Sequence, residues 1–266
     1  MDYVDIGDKK ISRMILGSNP FSGFSHQGTE RDREMVRFYT SRRVLDTMHE
    51  AQKLGINTVI ARTDNFVMRM LMEFEQEGGS LQWFAQTCPE VGPQEMCIER
   101  AASLGATACH LHGGVADYLY LNGKLDEFKP LVEMIKEKGM LAAIAAHQPE
   151  VLEWALDNLE LDYYMCSYYN PIPRGKDPQH VSGLEEVYDH AHRTRMTELI
   201  QSLPAPAIHY KVMAAGRNDP SEAFCYVAGK LRSNDPVCVG VYIGDKPGMI
   251  AQNIDLLDAA MGAKVG

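Results

Sequence analysis

The sequence predicts a single (β/α)8 TIM barrel over residues 1–266, an α/β fold with a short N-terminal hairpin. Short β-rich runs alternate with amphipathic helical patterns along the whole chain, and together they form eight strand–helix units. No long linker or change of composition divides the chain, and its 45% hydrophobic residues suffice for one sizeable core. A doubly wound open sheet is the alternative fold, although eight units are more than such a sheet usually needs.

The elements can be assigned in chain order. The segment "YVDIGDKKISRM" predicts a hairpin that turns at Gly7–Asp8 and plugs the bottom of the barrel. The strands are predicted at 13–18, 57–62, 81–87, 106–112, 140–147, 161–168, 206–215 and 237–244. The helical pattern is clearest in "RRVLDTMHEAQKLG", where apolar residues share one face and a glycine follows as the C-cap. Similar patterns occur in "GPQEMCIERAASLG", "DEFKPLVEMIKEKG", "PEVLEWALDNLE", "DPSEAFCYVAGKLR" and "DKPGMIAQNIDLLDAAMG".

Two connections are longer than the usual four to six residues or so. They span residues 19–40, after the first strand, and residues 170–183, after the sixth. Both follow the carboxyl end of a strand, which is the face where barrel enzymes build their sites. Their Pro, Gly, Arg and Lys content predicts lids or substrate-binding loops.

Composition restricts the class of partner. The formal net charge is −10 and no Lys/Arg cluster appears, so we expect neither nucleic acid nor a membrane surface as the main partner. The first ten residues lack an apolar signal core, and no apolar run approaches the roughly 20 residues of a spanning helix. The six cysteines form no CxxC pair, which predicts reduced thiols in a cytoplasmic protein. We expect a small-molecule substrate; a homo-oligomer is one alternative for the quaternary state.

Several segments, read in order, resemble the aldo/keto reductases. "ISRMILGSNPFSG" resembles the first strand of that superfamily, and "LGINTVIART" resembles the entry into the second. "AAIAAHQPEVLEWALDN", "LDYYMCSYYNP", "YKVMAAGR" and "VGVYIGDKPGMIAQNIDLL" resemble its fifth to eighth strands and the final helix. The chain therefore resembles a divergent member of the aldo/keto reductase-like superfamily over nearly its whole length.

The resemblance implies carbonyl reduction with a nicotinamide cofactor, through an Asp–Tyr–Lys–His tetrad. In this sequence the first three tetrad positions fall on Ile60, Asn65 and Gln86. Only the histidine remains, as His112 in "HLHGG". Asparagine cannot donate a proton as a phenol does, and glutamine cannot supply the cation, so the standard reductive mechanism is not expected.

The cofactor segment is also altered. The resemblance implies that Gly244 and Lys246, near a helix start, bind the cofactor phosphate, but Asp245 beside them would repel it. Binding of NADP is therefore the less favoured alternative for this chain.

A different set of polar residues is predicted at the carboxyl ends of the strands, where alternate side chains of a barrel converge on one pocket. We expect His112, His147, Asp64 and Lys211 to be catalytic. The predicted substrate-binding residues are Arg62, Asn65, Gln86, Tyr168, Asn170 and Arg217.

Three kinds of chemistry are compatible with this set. His110, His112, His147 and His209, with Asp64, form a candidate site for zinc, manganese or nickel. Alternatively, the histidines act as metal-free general acids and bases. In the third alternative Lys211 forms a Schiff base, although a pair with Asp64 or with an anionic substrate group is preferred for that lysine.

The sequence thus predicts a non-reductive enzyme acting on a small polar carbonyl or sugar-like substrate. The expected reaction is an acid–base or metal-assisted lyase, isomerase or hydrolase reaction. One alternative is a divergent NAD(P)H-dependent oxidoreductase, and another is a non-catalytic barrel that serves as a binding module.

Overall fold

A computed structural model describes residues 1–172, 174–179 and 184–264. Eight parallel strands close into a barrel in the order β10-β3-β4-β5-β6-β7-β8-β9, as the sequence predicts. The two hairpin strands are β1 (Tyr3–Ile6) and β2 (Lys9–Ser12). The barrel strands are β3 (Met14–Gly17), β4 (Thr58–Arg62), β5 (Gln82–Gln86), β6 (Ala108–Leu111), β7 (Leu141–Ala146), β8 (Tyr163–Ser167), β9 (Ala207–Tyr210) and β10 (Val237–Gly240).

Helices surround the barrel strands. They are α1 (Thr29–Phe38), α2 (Ser41–Lys53), α3 (Asn65–Gln76), α4 (Gln94–Ser103), α5 (Gly113–Leu121), α6 (Phe128–Glu137), α7 (Pro149–Asn158), α8 (His190–Ile200), α9 (Pro220–Lys230) and α10 (Met249–Lys264). Within the described part of the chain, no helix is both long and apolar enough to cross a membrane. The six cysteines are unpaired, and burial raises the pKa of the Cys88 thiol to about 11.

The hairpin closes the end of the barrel at which the strands begin. Val4, Ile6 and Ile11 are buried in one cluster with side chains of the barrel interior. The Asn57 side chain, just before β4, accepts a hydrogen bond from the backbone N–H of Ser12 at 2.7 Å. The predicted plug is therefore present, and it leaves the opposite end of the barrel as the open mouth.

Alternation along the strands decides which residues reach the mouth. Ile60 on β4, Ala108 on β6 and Ile208 on β9 point into the barrel interior, as do Ala145 on β7 and Met165 on β8. Residues that lie an even number of positions from these face inward, and their neighbours face the surrounding helices.

Two predicted strands are too long. The strand predicted at 206–215 ends at Tyr210, because Lys211 adopts a left-handed backbone conformation with φ 58°. The strand predicted at 237–244 ends at Gly240. The connection at 19–40 contains α1, a helix that was not predicted because the composition of this segment is typical of a loop. The connection at 170–183 is described only in part, since residues 173 and 180–183 lie outside the described residues.

Candidate functional site

A cavity of about 530 Å³ opens at the carboxyl ends of the strands. Arg62, Gln86, Tyr210 and Lys211 line its inner end, at the barrel mouth. From there the cavity extends past β10 to the start of α10, where Asn253 is part of the lining. Its volume is in the range of pockets that hold small molecules, which is roughly 300–1,000 Å³.

A buried histidine–aspartate pair lies beside the inner end of this cavity. His147 follows β7, and its ring Nδ1 is 2.6 Å from Asp117 Oδ2. The backbone N–H of His147 donates to Asp117 Oδ1 at 3.2 Å. Because the carboxylate can only accept, it fixes the proton on Nδ1 and leaves Nε2 with its lone pair. This is the tautomer of a general base.

Gly113, the first residue of α5, packs closely against both His147 and Tyr210. A Cβ at this position would lie 3.0 Å from His147 Cε1 and 3.1 Å from the hydroxyl of Tyr210. The rings of His147 and Tyr210 are 6.0 Å apart, edge to face. Tyr210 lines the cavity, so His147 lies next to a residue of the cavity wall.

His112 caps α5 and has its proton on the opposite ring nitrogen. Its Nδ1 accepts the backbone N–H of Gly114 at 3.1 Å, so the proton must be on Nε2. Burial holds the pKa of His112 well below its usual 6.5, and the nearby guanidinium groups of Arg62 and Arg174 lower it further. His112 is therefore a neutral hydrogen-bond donor at neutral pH.

The other two predicted metal-ligating histidines do not join this group. His110 is buried in the barrel interior, where its Nδ1 lies 3.2 Å from the Tyr163 hydroxyl and burial lowers its pKa to about 3. His209 faces outward because its neighbour Ile208 faces inward. Its ring is held by the Tyr168 hydroxyl at 2.9 Å and by Asp235 at 3.4 Å.

The expected four-histidine metal site is therefore not assembled. Among the described residues, no three His, Cys, Asp or Glu side chains come together in a way that could hold a metal ion. His209 and Lys211 also do not share a strand face, since the strand ends between them. The prediction that Tyr168 binds substrate is wrong. Met165 faces the barrel interior, so Tyr168, three positions later, faces outward, where it packs against His209.

Arg62 reaches the mouth but is neutralised there. It donates to Asp64 at 3.0 Å and to Glu90 at 2.8 Å, and it stacks over the ring of Phe24. Asp64 also accepts the N–H of Val67 as the N-cap of α3, so its carboxylate is already occupied by two partners. The expected pair of Asp64 with Lys211 is absent, since Asp64 is committed to these groups.

Three of the predicted substrate-binding residues have other partners in the structure. Asn65 is exposed on α3 and pairs with Arg100, away from the cavity. Asn170 donates its backbone N–H to His192 at 3.4 Å, and its buried Oδ1 has no partner within the described residues. Arg217 is exposed above the cavity, where it donates to the backbone carbonyl of His26 at 2.9 Å.

Lys211 belongs to a network that sequence reasoning missed. Its Nζ is 3.3 Å from Nε2 of His26, and Nδ1 of that histidine is 2.8 Å from Glu186 Oε1. The Tyr188 hydroxyl donates to the other oxygen of Glu186 at 2.6 Å. His26 lies in the connection predicted at 19–40, and Glu186 lies three residues beyond the one predicted at 170–183. Loops have no periodicity that would single out these two residues.

The outer end of the cavity is the region in which the resemblance places a nicotinamide cofactor. Lys246 and Tyr242 line the cavity there, and Asp245 is ion-paired with Arg31. That pair removes the repulsion expected between Asp245 and a phosphate. Gly244 is not part of the cavity wall; a Cβ there would lie 2.7 Å from the ring of Tyr242.

Comparison with known proteins shows the fold. No protein-family model and no curated protein matches this chain. A putative aldo-keto reductase from Pseudomonas aeruginosa matches with 16% identity and a TM-score of 0.65, covering 98% of this chain and 95% of its own. An aldo-keto reductase from Bacillus halodurans, in its holo form, matches with 14% identity and a TM-score of 0.60 over 97% and 91%.

A barrel enzyme of another activity is also similar in structure. The 3-deoxy-D-arabino-heptulosonate 7-phosphate synthase from Thermotoga maritima, in truncated form, has 11% identity and a TM-score of 0.56, with 97% and 90% covered. At such identities the comparison confirms the closed eight-stranded barrel, a fold that these aldo-keto reductases and the synthase have in common, and leaves the activity to be argued from the site.

Proposed function

We propose that this chain is a non-reductive enzyme that moves a proton on a small polar carbonyl or sugar-like substrate, in an isomerase or lyase reaction. The observation that carries the proposal is the hydrogen bond between Asp117 and His147 beside the cavity. A buried carboxylate that fixes the tautomer of a histidine is a recurrent device for making a general base.

The surrounding groups suit removal of a proton next to a carbonyl. Nε2 of His147 would take the proton, and that nitrogen has no hydrogen-bond partner among the described residues. Lys211 lines the cavity and supplies a polarising group for the carbonyl oxygen. His112, neutral and with its proton on Nε2, would donate a hydrogen bond to the developing oxyanion.

The experiment is solvent exchange in D2O. We would incubate the protein with dihydroxyacetone, erythrose or pyruvate and follow loss of the α-proton signals by NMR. We expect exchange with the wild type and a loss of about 100-fold or more with His147→Gln. Gly229→Ala is the matched control, because that position on α9 has open space around it.

Two results would contradict the proposal. Equal exchange by His147→Gln and the wild type would remove His147 from the mechanism. Loss of exchange after treatment with a chelator, with recovery on adding zinc or manganese, would show metal chemistry instead. If the wild type binds these compounds but exchanges none of their protons, and neither His112→Ala nor His147→Ala affects binding, the barrel is a binding module.

A second candidate is a nicotinamide-dependent reductase, which the outward extension of the cavity favours. Lys246, Tyr242 and Asn253 would hold the cofactor, which supplies hydride when bound. Fluorescence titration with NADPH tests this candidate directly. Saturable binding that Lys246→Glu weakens would support it, and the absence of binding at submillimolar NADPH would contradict it.

A further inference from the structure

We propose that Lys211 is a nucleophilic amine, activated by His26 and Glu186, that forms an imine with the carbonyl carbon of the substrate. This inference rests on the proposed function and deepens it. Under the proposed function Lys211 polarises the carbonyl, whereas here it forms a covalent bond to the carbonyl carbon.

The first observation is the order of the three side chains. Glu186 Oε1 lies 2.8 Å from Nδ1 of His26, and Nε2 of the same ring lies 3.3 Å from Nζ of Lys211. Since the carboxylate can only accept, Nδ1 carries a proton and the lone pair of Nε2 faces the amine. The arrangement has the logic of a catalytic triad in which lysine takes the place of the nucleophile.

The second observation is burial of the relay beside an open cavity. The side chains of His26 and Glu186 are 13% and 5% exposed. The Tyr188 hydroxyl holds the second oxygen of Glu186, so the carboxylate cannot rotate away from the histidine. Lys211 and His26 both line the cavity, so a carbonyl compound can approach the amine.

The third observation is the charge around the amine. Among the described residues, no carboxylate lies within 4.0 Å of Lys211 Nζ, whereas an ammonium held for structure is usually ion-paired. Burial lowers the pKa of Lys211 to about 8. Among the charges that face it, Arg174 and Arg217 act in the same direction, and Glu186 and Asp117 oppose them.

The fourth observation is backbone strain. His26 has φ 57° and Lys211 has φ 58°, and both conformations are unfavourable for residues other than glycine. Two contacts hold these loops together: Arg217 donates to the carbonyl of His26 at 2.9 Å, and Gln27 donates to that of Ala215 at 2.6 Å. Strain of this kind persists where a fixed geometry serves function.

The covalent step balances without an external oxidant or reductant. His26 accepts a proton from the ammonium, and the free amine forms a C–N bond to the carbonyl carbon. The π electrons of the carbonyl move to its oxygen, which takes a second proton from the nitrogen to give a carbinolamine. His26 then returns its proton to the hydroxyl, which leaves as water, and the nitrogen lone pair forms the C=N bond of a protonated imine. The cationic nitrogen draws electrons from the adjacent C–H bond. His147, oriented by Asp117, then removes that proton.

The test is reductive trapping. We would mix the protein with pyruvate or dihydroxyacetone and sodium cyanoborohydride and locate the modified lysine by peptide mass spectrometry. We expect modification at Lys211, with a rate that rises with pH up to about pH 8. His26→Gln and Glu186→Gln should slow trapping by at least about tenfold. Lys124→Arg, at an exposed position, should react as the wild type does.

The outcomes separate this inference from the proposed function. Because mapping the modified lysine in the wild type needs no variant, a folding defect in a variant cannot hide the answer. Modification spread evenly over surface lysines, or unchanged trapping in both relay variants, would overturn the inference. If exchange in D2O still depends on His147 in that case, the proposed function stands and Lys211 acts without a covalent bond.

Discussion

Replacing Asp117 by Asn tests the proposed base most directly. The carboxylate is 1% exposed and accepts two hydrogen bonds from His147, one from the backbone and one from the ring. An amide of the same shape has only one accepting oxygen, so its NH2 group must face one of the two donors. A hydrogen bond to a charged group contributes about 1.5–3 kcal/mol. We therefore expect Asp117→Asn to lower the free energy of unfolding by about 2–3 kcal/mol.

The same change should invert the tautomer of the histidine. If the NH2 group of the new side chain donates to Nδ1, the proton moves to Nε2 and the ring can no longer accept from substrate. For a domain of this size, a loss of 2–3 kcal/mol corresponds to a melting temperature lower by about 4–8 °C. Thermal unfolding measures the melting temperature, and ¹⁵N NMR of labelled histidine identifies the tautomer of His147.

The control for this experiment is Asp126→Asn, whose carboxylate is 78% exposed. It should melt within about 1 °C of the wild type, because exposed ion pairs contribute little. An Asp117→Asn protein that melts like this control and keeps its proton on Nδ1 would refute the reasoning.

Three other predictions follow from individual contacts. Hydrogen bonds from His26 hold the pKa of Glu186 near 2, below its usual 4.5, although burial opposes them. Glu186 therefore contributes about 2–3 kcal/mol to the free energy of unfolding; this contribution is complete above pH 4.5 and is lost as the pH falls toward 2. In urea unfolding, Glu186→Gln should make the free energy of unfolding depend less on pH over this range. Gly17→Ala should cost about 1–3 kcal/mol, since its Cβ would lie 2.9 Å from a backbone nitrogen of β10, and an equal effect of Gly229→Ala in the same urea titration would contradict that reason. Gly113→Ala should slow proton exchange by about tenfold or more without unfolding the barrel, because its Cβ would displace the ring of His147 by a few tenths of an ångström. Unchanged exchange would show that the position of this ring does not control the rate.

The fold could be predicted from the sequence because each strand–helix unit leaves its own pattern. Eight apolar runs separated by amphipathic helices lead to a closed parallel barrel, and the hairpin was visible as alternation around a Gly–Asp turn. The errors arose at the strand ends. Lys211 was expected to continue the alternation of β9, but its left-handed backbone ends the strand one residue earlier.

The site could be predicted only in part. His112, His147 and Lys211 each directly follow the last residue of a barrel strand, so their place at the carboxyl ends of the strands could be predicted. Asp117 lies in α5, five residues beyond His112. An acidic residue in a helix is normally expected to be exposed to solvent. Its burial depends on the packing of α5 against β7, which is a tertiary contact without a local signal.

The low acidity of Tyr210 favours the proposed proton transfer over the alternative proposal of reduction. A tyrosine that donates a proton in a reductase needs a neighbouring cation that lowers its pKa. Here burial raises the pKa of Tyr210 well above 10, and the nearby charge of Asp117 raises it further. The adjacent amine of Lys211 has its own pKa lowered to about 8, so much of it carries no charge above that pH. A tyrosine made less acidic beside a weakened cation is a poor proton donor, whereas the oriented histidine behind it is a suitable proton acceptor.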